Sequence, residues 1–138
     1  MEKTVLISLT SIQWQDDEKN ESELFTRARY STKSGCDVIS YDDTSATGFE
    51  GSVTTITVDG SRYASIVRSG AANSVLTLET GRKHFCQYDT PFGGMQIGVY
   101  THTIKNTLSE DGKLYLKYTL DLNSSYLSDN EIIMKINH

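Results

Sequence analysis

The sequence predicts an all-β chain, a single antiparallel up-and-down β-barrel of about eight to ten strands. Three observations carry that expectation. Short segments rich in Val, Ile, Thr and Tyr recur along 138 residues that contain one proline, and such side chains fit a pleated, half-buried surface. Clusters of Gly, Asn, Asp and Ser separate those segments, as hairpin turns require. In the second half of the chain apolar and polar residues alternate with period two, so each strand has one inward face. A meander this long leaves exposed edges unless it closes, and a barrel is expected for that reason.

Composition narrows the class further. The length fits one domain over residues 1–138, large enough for a core without staples. Apolar residues make up 37% and charged residues 22%, which suits neither a disordered chain nor a membrane protein. No apolar run approaches the ~18 residues of a membrane-spanning helix. The start, Met-Glu-Lys-Thr-Val-Leu-Ile-Ser-Leu, lacks a basic region followed by a long apolar one, so no export signal is expected and the cytoplasm is the expected location. The net charge is −5 with Lys and Arg scattered; nucleic acid, which calls for a concentrated basic patch, is not expected as a partner, nor is a membrane. Cys36 and Cys86 have no Cys-x-x-Cys spacing and are expected as reduced thiols.

Taken in order, residues 4–15 form the first expected strand, with Val5, Ile7 and Leu9 on one parity and Leu6 on the other. Residues 16–21 read as a solvated acidic loop. Residues 23–31 are assigned to a strand, because the helical alternative through Leu24, Phe25 and Ala28 does not continue beyond one turn. Residues 38–41 form a short strand that runs into Asp42-Asp43, and 45–51 form a polar loop. Residues 53–58 and 63–68 are expected to pair through a two-residue Asp59-Gly60 turn. Residues 69–73 turn the chain into 74–80, with Leu76 and Leu78 inward and Val75, Thr77 and Glu79 outward.

The stretch Tyr88–Thr101 anchors the second half. Pro91 fixes φ for a turn over residues 90–93, and the residue before a proline is pushed to extended geometry, so Thr90 ends a strand. Residues 83–89 lead into that turn and 95–105 leave it, with Met95, Ile97, Val99 and Thr101 on one face. Ser109-Glu-Asp-Gly112 signals the next hairpin. Leu114, Leu116, Tyr118, Leu120 and Leu122 then alternate with polar residues. A turn is expected over 124–130, and Ile132, Met134 and Ile136 form the last inward face.

Several motifs in that half recur in a known order: Arg68-Ser-Gly70, Tyr88-x-Thr-Pro-x-Gly93, Thr101, and Gly112-x-Leu-x-Leu-x-Tyr118. Together they resemble the YwiB-like family of small bacterial proteins, over roughly half the chain. The resemblance implies a calycin (lipocalin-like) barrel in a cytoplasmic bacterial setting. It implies no reaction. Calycin barrels often hold small apolar or amphiphilic ligands, which is an analogy of fold and not of site.

Candidate site residues follow from parity and motif. Arg68 shares parity with Ala64 and Ile66 and is expected to point inward. There it either clamps the carboxylate of an amphiphilic ligand or is held by strand-end carbonyls or an acidic neighbour. Tyr88, Thr101 and Tyr118 are the polar members of the motifs; they orient a ligand or bond one another within a filled core. Leu76, Met95, Ile97, Val99 and Leu116, with Leu120 and Met134, are the expected apolar lining.

Metal and catalytic signatures are weaker. His84, Cys86 and His102 have no recognised ligand spacing, so neither metal nor cofactor is expected. A nucleophile elbow and a phosphate loop are both missing from the sequence, and Asp16-Asp17, Asp42-Asp43 and Glu110-Asp111 read as solvated turns. The leading expectation is non-enzymatic binding of a small apolar or amphiphilic ligand inside the barrel. The alternative is a filled barrel acting as a protein-interaction or homodimerisation module through outward Val75, Tyr100, Tyr115 and Ile133. An enzyme ranks third.

Overall fold

Ten strands follow one another through the chain: β1 (Lys3–Gln15), β2 (Glu18–Lys33), β3 (Cys36–Asp42), β4 (Ser52–Asp59), β5 (Tyr63–Gly70), β6 (Ser74–Glu79), β7 (Lys83–Thr90), β8 (Gly93–Thr107), β9 (Lys113–Leu122) and β10 (Ser125–Asn137). The computed structural model describes residues 2–46, 49–71, 73–90 and 93–137, without the side chains of Tyr88, Asp89 and Thr90. Each strand pairs antiparallel with its neighbours in sequence, and β1 pairs with β10 to close the barrel. The all-β meander expected from the sequence is the fold.

Period-two patterning sets the register, because a slip of one residue would turn every apolar side chain to water. Ile39 lies opposite Ile56, Ile56 opposite Ile66, and Ile66 opposite Leu76. Leu24 faces Leu9, Leu9 faces Met134, and Met134 faces Leu114. These cross-strand rows make one continuous apolar interior that also includes Ile7, Val99, Leu116 and Ile136. The apolar parity thus faces inward, the reverse of a membrane barrel, whose apolar band faces lipid. Among the described residues no helix is long and apolar enough to cross a membrane.

Several expected loops are shorter than the sequence suggests. Asp16 and Asp17 alone join β1 to β2, with Asp16 at φ 55°; the acidic residues beyond them continue the strand, since exposed edge positions accept charge. Asn123 and Ser124, at φ 52° and 67°, form the whole β9–β10 turn, as primed hairpin turns demand. One turn is longer than expected. Asp59 pairs with Tyr63, leaving Gly60-Ser61-Arg62 as the connection, and the Arg62 N–H donates to the Asp59 carbonyl at 3.3 Å. Pro91 and Phe92, the expected β7–β8 turn, lie outside the described residues, though the ladder extends to Thr90 opposite Gly93.

Register shifts at residues 101–103 in β8 and 126–128 in β10 insert one extra residue each. The first places His102 on the outside and returns Ile104 to the interior, as bulges do. The seam between β6 and β7 is different: among the described residues its register has one pair, Ser74 opposite Tyr88. Below that pair, side chains bridge the strands. The Thr77 N–H donates to Cys86 Sγ at 3.3 Å, and His84 Nε2 lies 2.9 Å from Glu79 Oε1. Glu79, expected outward, is buried by this contact. Cys36 and Cys86 are both free thiols.

Candidate functional site

The two ends of the barrel differ, and the difference locates the site. At one end the turns after β2, β4, β6 and β8 come together. Asn106 Nδ2 donates to Asp37 Oδ2 and to the Gly60 carbonyl, both at 3.1 Å. The Tyr30 hydroxyl donates to the other Asp37 oxygen at 2.7 Å, and the Leu108 N–H donates to Asn106 Oδ1 at 3.1 Å. Thr80 ties the β6–β7 turn to Ser61 and Arg62. Leu108, 4% exposed, plugs the floor beside Leu114 and Ile104. This end is closed.

At the other end the interior is not filled. A cavity of about 290 Å³ opens there, floored by Leu9, Ile56, Ile66, Leu76, Leu120 and Ile132. Tyr41, Phe49, Arg68 and Tyr118 form one side, and Ser11, Gln13, Asn20, Ser22 and Asn130 the other. The volume is near the lower limit for small-molecule sites, and the mix of apolar floor with a few polar groups is typical of them.

Arg68 is the cation that lines this mouth, alongside the carboxylates of Glu21 and Glu131, and its surroundings are specific. Its Nε donates to Asp43 Oδ2 at 3.4 Å and to Thr54 Oγ1 at 3.1 Å. The Thr54 hydroxyl in turn donates to the same Asp43 oxygen at 2.6 Å. The Phe49 ring packs against the guanidinium, whose carbon lies 3.7 Å from the ring centre. Side-chain exposure is 15% for Arg68 and 0% for Asp43, so this is a buried ion pair completed by a hydroxyl. Tyr41 borders it; burial first, and then the Asp43 charge, push its hydroxyl up to about 12. Tyr41 therefore remains a protonated donor at any physiological pH.

The local backbone explains how the β3–β4 loop reaches this position. The Asp43 N–H donates to the Ser52 carbonyl at 2.8 Å, and the Ala71 N–H to the Gly51 carbonyl at 3.2 Å, pinning the loop's base. Gly70, at φ +117°, passes so close that a Cβ there would sit 2.6 Å from the Gly51 oxygen. Only glycine permits that approach.

The sequence-derived candidates are distributed as follows. Arg68, Tyr118 and Leu76 line the cavity. Ile97, Val99, Leu116 and Met134 are packed in the core, and Met95 is half-buried without lining the cavity. Thr101 is fully buried opposite Tyr118, and its Oγ1 has no hydrogen-bond partner among the described residues. The Tyr88 side chain lies outside the described residues. His84 pairs with Glu79, Cys86 with the Thr77 amide, and His102 with Thr119 Oγ1 at 2.7 Å on the outer wall. These three therefore occupy separate environments.

Asp43, Thr54, Tyr41 and Phe49 were not expected at the site. Asp42-Asp43 reads as a solvated pair, yet only Asp42 is exposed. The missed signal is parity: Tyr41 and Asp43 continue the inward face of Ile39, and Thr54 that of Ile56 and Val58. Phe49 carries no such signal, because it sits in a loop.

A closed ten-stranded antiparallel meander with one stapled end and a cavity at the other defines the class: a small barrel with room inside its mouth. A family profile described as "Domain of unknown function (DUF1934)" matches residues 7–134, and the chain belongs to that family. The structure is similar to the crystal structure of the ywiB protein from Bacillus subtilis, with a TM-score of 0.76, 21% sequence identity, and coverage of 99% of this chain and 94% of that one. That likeness is one of fold, and it agrees with the YwiB-like motifs read from the sequence. Among curated proteins there is no match.

Proposed function

We propose that the barrel binds one small, partly apolar ligand in its mouth. The supporting observation is the contrast in filling: one end is packed and stapled, while the other leaves about 290 Å³ beside a preorganised Arg68–Asp43–Thr54 cluster. A barrel of this size can fill its interior completely, and this one does so at one end only. Native mass spectrometry of protein purified without detergent tests the reading. An added mass on the order of 150 Da is expected, as about ten non-hydrogen atoms fit the volume. The cavity-filling variant Leu76→Trp should lose it while keeping its far-UV circular dichroism. A bare mass for the unsubstituted protein, with no small apolar compound binding on titration, overturns the reading.

A second reading rests on the outer wall. Phe85 is 66% exposed, and Val67 and Val75 form an exposed cross-strand pair on β5 and β6. Exposed apolar surface of this kind suits a homodimer or a protein partner. A chain that stays monomeric in sedimentation velocity at high concentration dismisses the homodimer.

A further inference from the structure

We propose that the polar head of the ligand is uncharged, so that the mouth takes a neutral amphiphile such as a primary amide or an alcohol in preference to a carboxylate or an amine. The inference rests on the cavity reading and adds the chemistry of the head.

Parity separates the polar groups around the cavity. Ser11, Gln13, Asn20, Ser22 and Asn130 share the inward parities of Leu9, Leu24 and Ile132, and all are uncharged. Glu21 and Glu131 contribute to the lining from the opposite parity, each paired with Ile12 of β1. The Glu131 carboxylate accepts the Tyr115 hydroxyl, and Glu21 lies 3.7 Å from Lys19. Those carboxylates are engaged on the outer side of the wall.

Arg68 is thus an inward cation, and the inward Asp43 already neutralises it. Asp43 is completely buried, and its Oδ2 accepts from both Arg68 and Thr54. A ligand carboxylate brought to this guanidinium would also be brought to Asp43. Attraction and repulsion would then be of similar size, leaving the desolvation of the carboxylate uncompensated. An ammonium meets the converse problem, with Asp43 committed to Arg68 and Thr54. A carbonyl or hydroxyl escapes both. It can accept from the guanidinium or from the protonated Tyr41 hydroxyl, and hydrogen bonds to Ser and Asn side chains complete its shell without importing charge. The structure therefore turns the arginine from a clamp for anions into a donor held in place by its own counter-ion.

The volume sets the size of the probe. About 290 Å³ is room for about ten atoms at the liquid-water share of volume, which suits an eight-carbon chain with a small head. Octanamide, octanoate and octylamine differ only at the head and can be titrated by isothermal calorimetry at pH 7.5. Octanamide is expected to bind at least about tenfold more tightly than either charged compound. If octanoate or octylamine binds tightest, the head-charge inference falls while the cavity reading stands. If none of the three binds, the cavity reading falls and the inference with it.

Asp43→Asn removes the counter-ion and should move the preference toward octanoate by about tenfold or more. An Asp43→Asn protein that folds and shows no shift of preference toward octanoate overturns the inference. Octanoate titrated against the unsubstituted protein offers a test that needs no variant. Its affinity should rise as the pH is lowered toward about 4–5, where its carboxyl takes up a proton, and a flat profile overturns the inference.

Discussion

At the closed end of the barrel, hairpin turns are tied to one another by side chains; at the mouth, the main ties run from the β3–β4 loop down into the barrel wall. Asn106 alone joins three chain segments across the closed end, through Asp37, Gly60 and Leu108. The corresponding centre of the mouth is Arg68, which holds Asp43, Thr54 and Phe49 and borders an empty volume. The same strands serve both ends, so topology does not set the difference. Side-chain size and commitment do: Leu108 fills the floor, whereas Ser11, Ser22 and Asn130 are too small or too polar to fill the mouth. A barrel built this way has its staples and packing at one end and an open volume at the other.

The largest test of that division compares two leucines of one strand. Leu116→Ala removes a side chain that is 0% exposed at the packed level of the core, and it should cost about 2–5 kcal/mol in urea unfolding. Leu120→Ala acts beside a cavity that already exists, so less than half that loss is expected. Equal losses would break the contrast between filled and open levels.

The next effect sharpens the closed end. Asn106→Ala leaves Asp37, the Gly60 carbonyl and the Leu108 amide each short of a partner, at about 1–3 kcal/mol. Gln13→Ala at the mouth should stay within about 0.5 kcal/mol. Hydrogen exchange should also quicken in the β4–β5 and β8–β9 turns of Asn106→Ala, and unchanged protection there would show that the staple is not what holds this end.

The smallest effect concerns the seam between β6 and β7. The hydrogen bond from His84, helped by Tyr63 and by the Arg82 charge, holds the Glu79 carboxyl below its ordinary 4.5 against the opposing effect of burial. A carboxyl depressed in the folded state stabilises fully above its unfolded value and loses that contribution as the pH falls through the folded value. Glu79→Gln should therefore flatten the fall of Tm below about pH 4.5. A Tm profile parallel to that of the unsubstituted protein throughout would remove Glu79 from the seam's stability.

The sequence was most legible where period-two alternation was clean. At residues 114–122 and 132–136 the inward parity follows from the pattern, because each inward face is buried against the others; the strand start at Ser125 and the register shift at 126–128 do not. It was least legible at turns, where a polar run such as Glu18-Lys-Asn-Glu21 serves equally as loop or as exposed strand. Arg68 was visible through its parity with Ala64 and Ile66. Its partner was hidden, because adjacent aspartates usually mean solvent and only the closure of β3 on β4 and β5 buries one of them.

By itself the chain determined an all-β meander, the inward parity of its strands and the need to close, since these depend on local pattern and on the cost of bare edges. Tertiary structure alone decided which end would be filled, that Asp43 would neutralise Arg68, and that Phe49 would lie on the guanidinium. Those outcomes depend on residues distant in sequence meeting across a closed barrel. Asp43 and Arg68 are separated by 25 positions, and no local pattern encodes their contact.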